Sequence, residues 1–257
     1  MGHGLRSFGM TDVGRSREKN EDNFLLVPDE GLYLVADGMG GHQGGQLASS
    51  LAVSYITEFT CILANDTERP WPYEGYADRT HAENKLVVGV QYANERIFIE
   101  SCKSRENEGM GTTITGLFDP GDGNLVVAHV GDSRVYRMRD RVLSQITTDH
   151  SLLNHMLATG KLAPEDAETF PNKNVIFRAL GLKDYVEVDT AVHPKVAGDL
   201  YLLCSDGLTD LVEDWVIAEV LQDAHKDLQS AARSLVHLAN ENGGKDNITV
   251  LLSLVEG

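Results

Sequence analysis

Four aspartates in this chain share a placement that suits them to hold cations. Asp37 ends the apolar run Leu32 to Ala36, Asp132 follows Leu125 to Gly131, Asp206 follows Leu200 to Ser205, and Asp246 comes just before Ile248 to Leu254. Each run reads as a core strand, so three acids stand at C-terminal strand ends and one at an N-terminal end. Antiparallel placement of the last strand would bring all four to one edge. Singly, an aspartate beside a glycine is a turn, because glycine admits positive φ and aspartate bonds its own backbone. Jointly they are costly, since like carboxylates at close range raise one another's pKa unless a cation lies between them. Oxygen donors without convergent histidines or cysteines select hard ions, Mg²⁺ or Mn²⁺, over zinc. Two such ions about 3.5–4 Å apart can hold a bridging water, lower its pKa and neutralise phosphoryl oxygens during in-line attack.

Other residues extend this reading. Gly38 leaves room beside Asp37, and its carbonyl is itself a possible ligand. Arg17 lies on a charged turn with Glu21 and Asp22, and its guanidinium fork suits bidentate capture of phosphate oxygens. The glycine-rich run Gly38 to Gly45 lacks the Gly-Lys-Ser/Thr ending of a nucleotide loop. Gly-Asp-Ser-Arg at 131–134 has a second reading, as a hairpin turn between two strands.

Composition narrows the class of protein. The 257 residues carry 39 acidic and 22 basic side chains, a net charge of -17, which disfavours nucleic acid and anionic lipid as partners. No apolar stretch is expected to cross a bilayer and no secretory signal is expected at the front. Cys61, Cys102 and Cys204 are widely spaced and odd in number, which fits a reducing, cytoplasmic setting. Cys204, inside the run from Leu200, reads as a buried structural thiol.

The elements that must position these residues come in blocks. Two short extended segments flank the charged turn Gly14 to Asp22. A helix is expected from Leu47 to about Ala64 and a second through Leu86 to Phe98, with a loop over 65–80 between them. Strands follow at Thr112 to Phe118, Leu125 to Val130 and Val135 to Met138. An excursion over 149–183 carries only a short helical pattern near Leu152 to Leu157. Val186 to Val192 and Asp199 to Cys204 return to strand. Leu208 to Val212 opens a helical region, Ala231 to Ala239 marks the last helix, and Ile248 to Leu254 the last strand. Blockwise order favours antiparallel sheets covered by helices, in one domain spanning 1–257.

At this level of detail the sequence strongly resembles the metal-dependent serine/threonine protein phosphatases of type 2C, especially bacterial single-domain members. The motifs are Thr11-Asp12-Val13-Gly14, Arg17-Glu18-Lys19-Asn20-Glu21-Asp22, Asp37-Gly38-Met39-Gly40-Gly41-His42, Gly109-Met110-Gly111-Thr112-Thr113, Val130-Gly131-Asp132-Ser133-Arg134, Asp149-His150-Ser151, Arg178-Ala179-Leu180-Gly181, Ser205-Asp206-Gly207 and Asp246-Asn247-Ile248-Thr249. The resemblance implies an α+β fold: a four-layer α-β-β-α sandwich with two central antiparallel sheets and a flap over about 149–183. It implies that Asp37 bridges two Mn²⁺ or Mg²⁺ ions with help from the Gly38 carbonyl. Asp206 and Asp246 would hold the first ion, and Glu21 and Asp22 would support the site largely through water. Arg17 would bind the substrate phosphate, and a third, weaker ion would lie between Asp132 and Asp206.

Two positions depart from relatives. Animal members have a histidine, proposed as leaving-group acid, where this chain has Met39, and a thioether cannot donate a proton. A metal-bound water is then the first choice of acid, ahead of His42. Phe170 stands where many bacterial flaps carry histidine. The implied activity is hydrolysis of phosphoserine and phosphothreonine in proteins by a metal-bridging hydroxide, opposing a serine/threonine kinase, in a monomer. The alternatives are a catalytically silent phosphoprotein-binding module on the same fold and a hydrolase of small phosphoesters.

Overall fold

Strand and helix order follows the blocks of the sequence. β1 (Leu5–Asp12), β2 (Asp22–Val27) and β3 (Leu32–Met39) precede two helices, α1 (Gly44–Thr57) and α2 (His81–Ser101). Then come β4 (Gly111–Thr112), β5 (Ile114–Phe118), β6 (Asn124–Val130), β7 (Arg134–Arg139) and β8 (Val142–Gln145). The short helix α3 (Leu152–Ala158) leads to β9 (Asp189–Pro194) and β10 (Leu200–Cys204). Helices α4 (Asp206–Thr209), α5 (Asp214–Leu221) and α6 (Leu228–Glu241) come before the final strand β11 (Ile248–Val255). The computed structural model describes residues 4–40, 44–66, 68, 70–171 and 175–257, so His42 lies outside the described residues.

All strand pairs are antiparallel. One sheet has the order β1-β11-β10-β7-β8, and the other β2-β3-β5-β6-β9 with β4 added against β3. Period-two alternation assigns each strand's two faces. On β3, Leu32, Leu34 and Ala36 pack with Ala52, Ile56, Leu86 and Val90 of α1 and α2. Leu200, Leu202 and Cys204 of β10 pack under α5 and α6 with Ile217, Leu235 and Ala239. The opposite faces, Tyr33 and Val35 on one sheet and Tyr201, Leu203 and Leu251 on the other, meet between the sheets. These three clusters make the four layers, and Cys204 is buried as expected.

Four local outcomes differ from the sequence reading. The helix over 44–65 is by length and composition long and apolar enough to cross a membrane, contrary to expectation. One side of it is core, with Ala48, Ala52 and Ile56 fully enclosed against α2 and β3, while Ile62 is exposed. Helix α2 starts earlier than its apolar stripe, at a capping box in which Thr80 Oγ1 accepts from the Glu83 amide and Glu83 accepts from the Thr80 amide. The strand expected from Val186 begins only at Asp189; Val186 and Val188 are irregular but buried against the α2 cluster. Finally, β6 and β7 belong to different sheets, so Gly131-Asp132-Ser133 is a crossing between sheets and the hairpin reading fails.

Candidate metal centre

Strand register gathers the acids. β2 and β3 pair so that Asp22 stands opposite Asp37. Asp37 is inside β3, which runs two residues further because Gly38 pairs with Thr112 and Met39 with Gly111. In the other sheet β10 runs antiparallel to β11, with Cys204 opposite Val250. Asp206, two residues beyond Cys204, and Asp246, two before Ile248, therefore share an edge. The crossing from β6 to β7 adds Asp132, so the five acids come from both sheets and the seam between them.

Their electrostatics follow from proximity. Burial raises the Asp37 carboxyl well above the usual range, and Asp22, Asp206, Asp132 and Asp246 add to that in descending order. Asp37 is partly exposed as a residue, yet protein atoms crowd its carboxyl. Burial is likewise the leading cause for Asp22 and Asp206, and it pushes Asp132 up to about 7 with Asp149 assisting. Glu21 is also raised, by burial first. One oxygen each of Asp22, Asp132 and Asp206 is buried without a hydrogen-bond partner among the described residues. Buried acceptors of this kind normally have a donor or a cation.

Other side chains fix these acids from behind. Asp22 Oδ2 accepts from Ser205 Oγ at 2.7 Å and Thr249 Oγ1 at 2.6 Å, which ties β2 to the sheet of β10 and β11. Asn247 accepts from the Glu21 amide at 2.8 Å and donates to the carbonyls of Val13 and Lys19, so the charged turn is pinned to the start of β11. Arg17, on that turn, reaches Asp246 Oδ2 at 2.7 Å. The glycine at 38 is explained by close backbone approach: a Cβ there would run into the carbonyl oxygens of Gly45 and Glu21. Sequence reading missed Ser205, Asn247 and Thr249 as supports. The available signal was Thr249, a polar residue near the start of a mostly apolar final strand, close to Asp246.

The edge opens into a cleft of about 600 Å³. Its far wall is the root of the 149–183 segment, where Arg134 donates to both Asp149 oxygens and His150 Nδ1 accepts from the Gly131 amide. Helix α3 and a short 3₁₀ helix at Pro164–Thr169 belong to this segment, and Ser151 forms an isolated bridge with Ile176. Phe170 is partly exposed just after that 3₁₀ helix.

Carboxylates with orphaned, inward oxygens fit hard divalent ions by donor chemistry. Among the described residues no three carboxylates, imidazoles or thiols stand close enough to count as a finished coordination shell. An oxygen-lined edge of this type beside an open cleft defines metal-assisted hydrolysis as the class of chemistry.

Comparison with known proteins agrees. A family model described as protein phosphatase 2C matches residues 14–252. The serine/threonine phosphatase stp of Listeria monocytogenes is 39% identical over 249 residues, covering 94% of this chain and 92% of that protein. The crystal structure of the Mycobacterium tuberculosis serine/threonine phosphatase PstP/Ppp has a TM-score of 0.84 at 35% identity, covering 98% of this chain and 99% of that one. The PstP catalytic domain in complex with two manganese ions has a TM-score of 0.81 at 34% identity, with coverage of 98% and 99%. The chain therefore belongs to the protein phosphatase 2C family of metal-dependent serine/threonine protein phosphatases.

Proposed function

We propose that this chain, acting as one unit over 1–257 and as a monomer, removes phosphate from phosphoserine and phosphothreonine in cytoplasmic proteins modified by a serine/threonine kinase. The observation that carries this reading is the edge where Asp37 meets Asp22, Asp206, Asp132 and Asp246. Asp37 and the Gly38 carbonyl, with Asp206 and Asp246, would hold a pair of Mn²⁺ or Mg²⁺ ions, and Asp132 with Asp206 a third. When bound, such ions activate water as a nucleophile and neutralise phosphoryl oxygens.

The chain's own side chains do the rest. Glu21 and Asp22 lie behind Asp37 as acceptors for ordered water, with Asp22 aimed by Ser205 and Thr249. Arg17 stands at the mouth of the edge, half-exposed, where its guanidinium can exchange Asp246 for phosphate oxygens. Met39 supplies no proton, so water donates to the leaving serine or threonine oxygen. Hydrolysis is direct, with no phosphorylated enzyme. The net charge of -17 argues against nucleic acid as substrate.

Turnover of a phosphopeptide and of a nucleotide, each with and without Mn²⁺, tests this reading. Mn²⁺-dependent release from the phosphopeptide, with little from the nucleotide, is expected. Preference for the nucleotide would identify a small-phosphoester hydrolase, and phosphopeptide binding without turnover a silent module.

A further inference from the structure

The ladder between β3 and the following strands skips two residue pairs, Ala36 with Ile114 and Asp37 with Thr113, and a side chain fills the gap at the second. Pairing holds at Val35 with Thr115 and again at Gly38 with Thr112, but at Thr113 the strand is interrupted. The Thr113 amide donates to the Asp37 carbonyl at 2.8 Å. The Asp37 amide does not reach a strand carbonyl in return; it donates to the Thr113 hydroxyl at 3.0 Å. The Thr113 carbonyl is taken instead by the Thr112 hydroxyl at 2.9 Å.

The same hydroxyl touches the other half of the site. Thr113 Oγ1 lies 2.7 Å from Ser133 Oγ, and Ser133 directly follows Asp132. Both residues are almost wholly enclosed. The methyl side of Thr113 packs on Gly131, where φ is +114° and a Cβ would come within 2.6 Å of Thr113 Cβ and Cγ2. One buried threonine thus joins the main chain of Asp37 to the crossing that carries Asp132.

We propose that Thr113 is a positioning residue for the cation site, its hydroxyl fixing Asp37 relative to Asp132. The proposal rests on the functional reading only in that these two acids bind cations. Valine at 113 would keep the shape but leave the Asp37 amide and the Ser133 hydroxyl unpaired inside the protein. The strand would then shift to satisfy the amide, and Asp37 would move with it. Supports behind a metal ligand of this kind typically affect affinity by about 10–100-fold.

The test uses the full chain stripped of metal, with Mn²⁺ affinity measured by titration calorimetry and folding by thermal unfolding without metal. Thr113→Val should raise the Mn²⁺ Kd about tenfold or more, with phosphopeptide turnover recovering as Mn²⁺ is raised. Thr113→Ser should stay near the wild-type affinity. If Thr113→Val fails to fold, Ser133→Ala removes the same hydroxyl pair from the other side and should weaken Mn²⁺ binding. Wild-type affinity in every folded variant would overturn the role of Thr113 and leave the phosphatase reading intact. Equal impairment in Thr113→Ser and Thr113→Val would overturn it too, by making packing the cause. A wild-type chain that binds no Mn²⁺ would overturn both readings.

Discussion

Buried carboxylates occur at both ends of the sandwich, and the two ends treat them differently. At the end away from the cleft, Asp119 after β5 and Asp199 before β10 are as enclosed as any acid in the chain. Each has a cation from its own protein: Lys195 pairs with Asp119, and Arg139 makes a two-pronged contact with Asp199. At the cleft end the acids mainly face one another, and one oxygen each of Asp22, Asp132 and Asp206 has no donor among the described residues. An acid paired internally serves the fold. An acid left to its own kind makes an opening for an imported cation, at a cost to stability until that cation arrives.

Substitutions can break this contrast. Asp37→Asn or Asp206→Asn should reduce Mn²⁺-dependent phosphopeptide hydrolysis by about a thousandfold or more, since positioned charge stabilisation is worth several kcal/mol; comparable kcat/KM in either variant would remove the basis for the metal site. Asp199→Asn should leave kcat near wild type and lower folding stability, because the enclosed Asp199 carboxylate would no longer be there to pair with Arg139. Thermal unfolding and steady-state kinetics on the same preparation separate those outcomes.

Subtler measurements sharpen the contrast. Without metal, Asp206→Asn should be more stable than wild type by about 1–3 kcal/mol at pH 8, since it removes one of several buried like charges. The advantage should reverse when Mn²⁺ is present, because only the wild-type edge gains stability from binding. A variant less stable than wild type under both conditions would mean that Asp206 is structural. The smallest effect concerns His129, which burial beside His150 pushes down to about 3. Its folded pKa lies below the unfolded value near 6.5, so the unfolded chain takes the proton first as pH falls. Stability is then lost between about pH 6.5 and 3, by roughly 1–2 kcal/mol at pH 5. His129→Phe should flatten that part of the pH profile, and an unchanged slope would assign the loss to other groups.

Legibility from sequence depended on whether a residue's role was local. The runs Leu32 to Ala36, Leu200 to Cys204 and Ile248 to Leu254 announced their strands, and the aspartates at their ends announced a shared edge. The crossing at Gly131-Asp132-Ser133 was not legible as one, since a glycine-aspartate turn looks the same whether it returns a strand or passes it to another sheet. Long-range polar supports were also hidden. Ser205, Thr249 and Asn247 act on Asp22 and Glu21 from more than 180 positions away. Asp149 and His150 stood out as a motif, but their partners Arg134 and Gly131 become evident only once two sheets are stacked.

That stacking also makes the acidic edge depend on both sheets at once. β11 lies between β1 and β10 in its sheet, with Leu5 opposite Val255. Asp246 stands just ahead of it, while Asp22 and Asp37 sit on β2 and β3 of the other sheet. The edge is therefore assembled only by the finished sandwich, and loosening β11 from β1 or β10 would draw Asp246 away from Asp22 and Asp37.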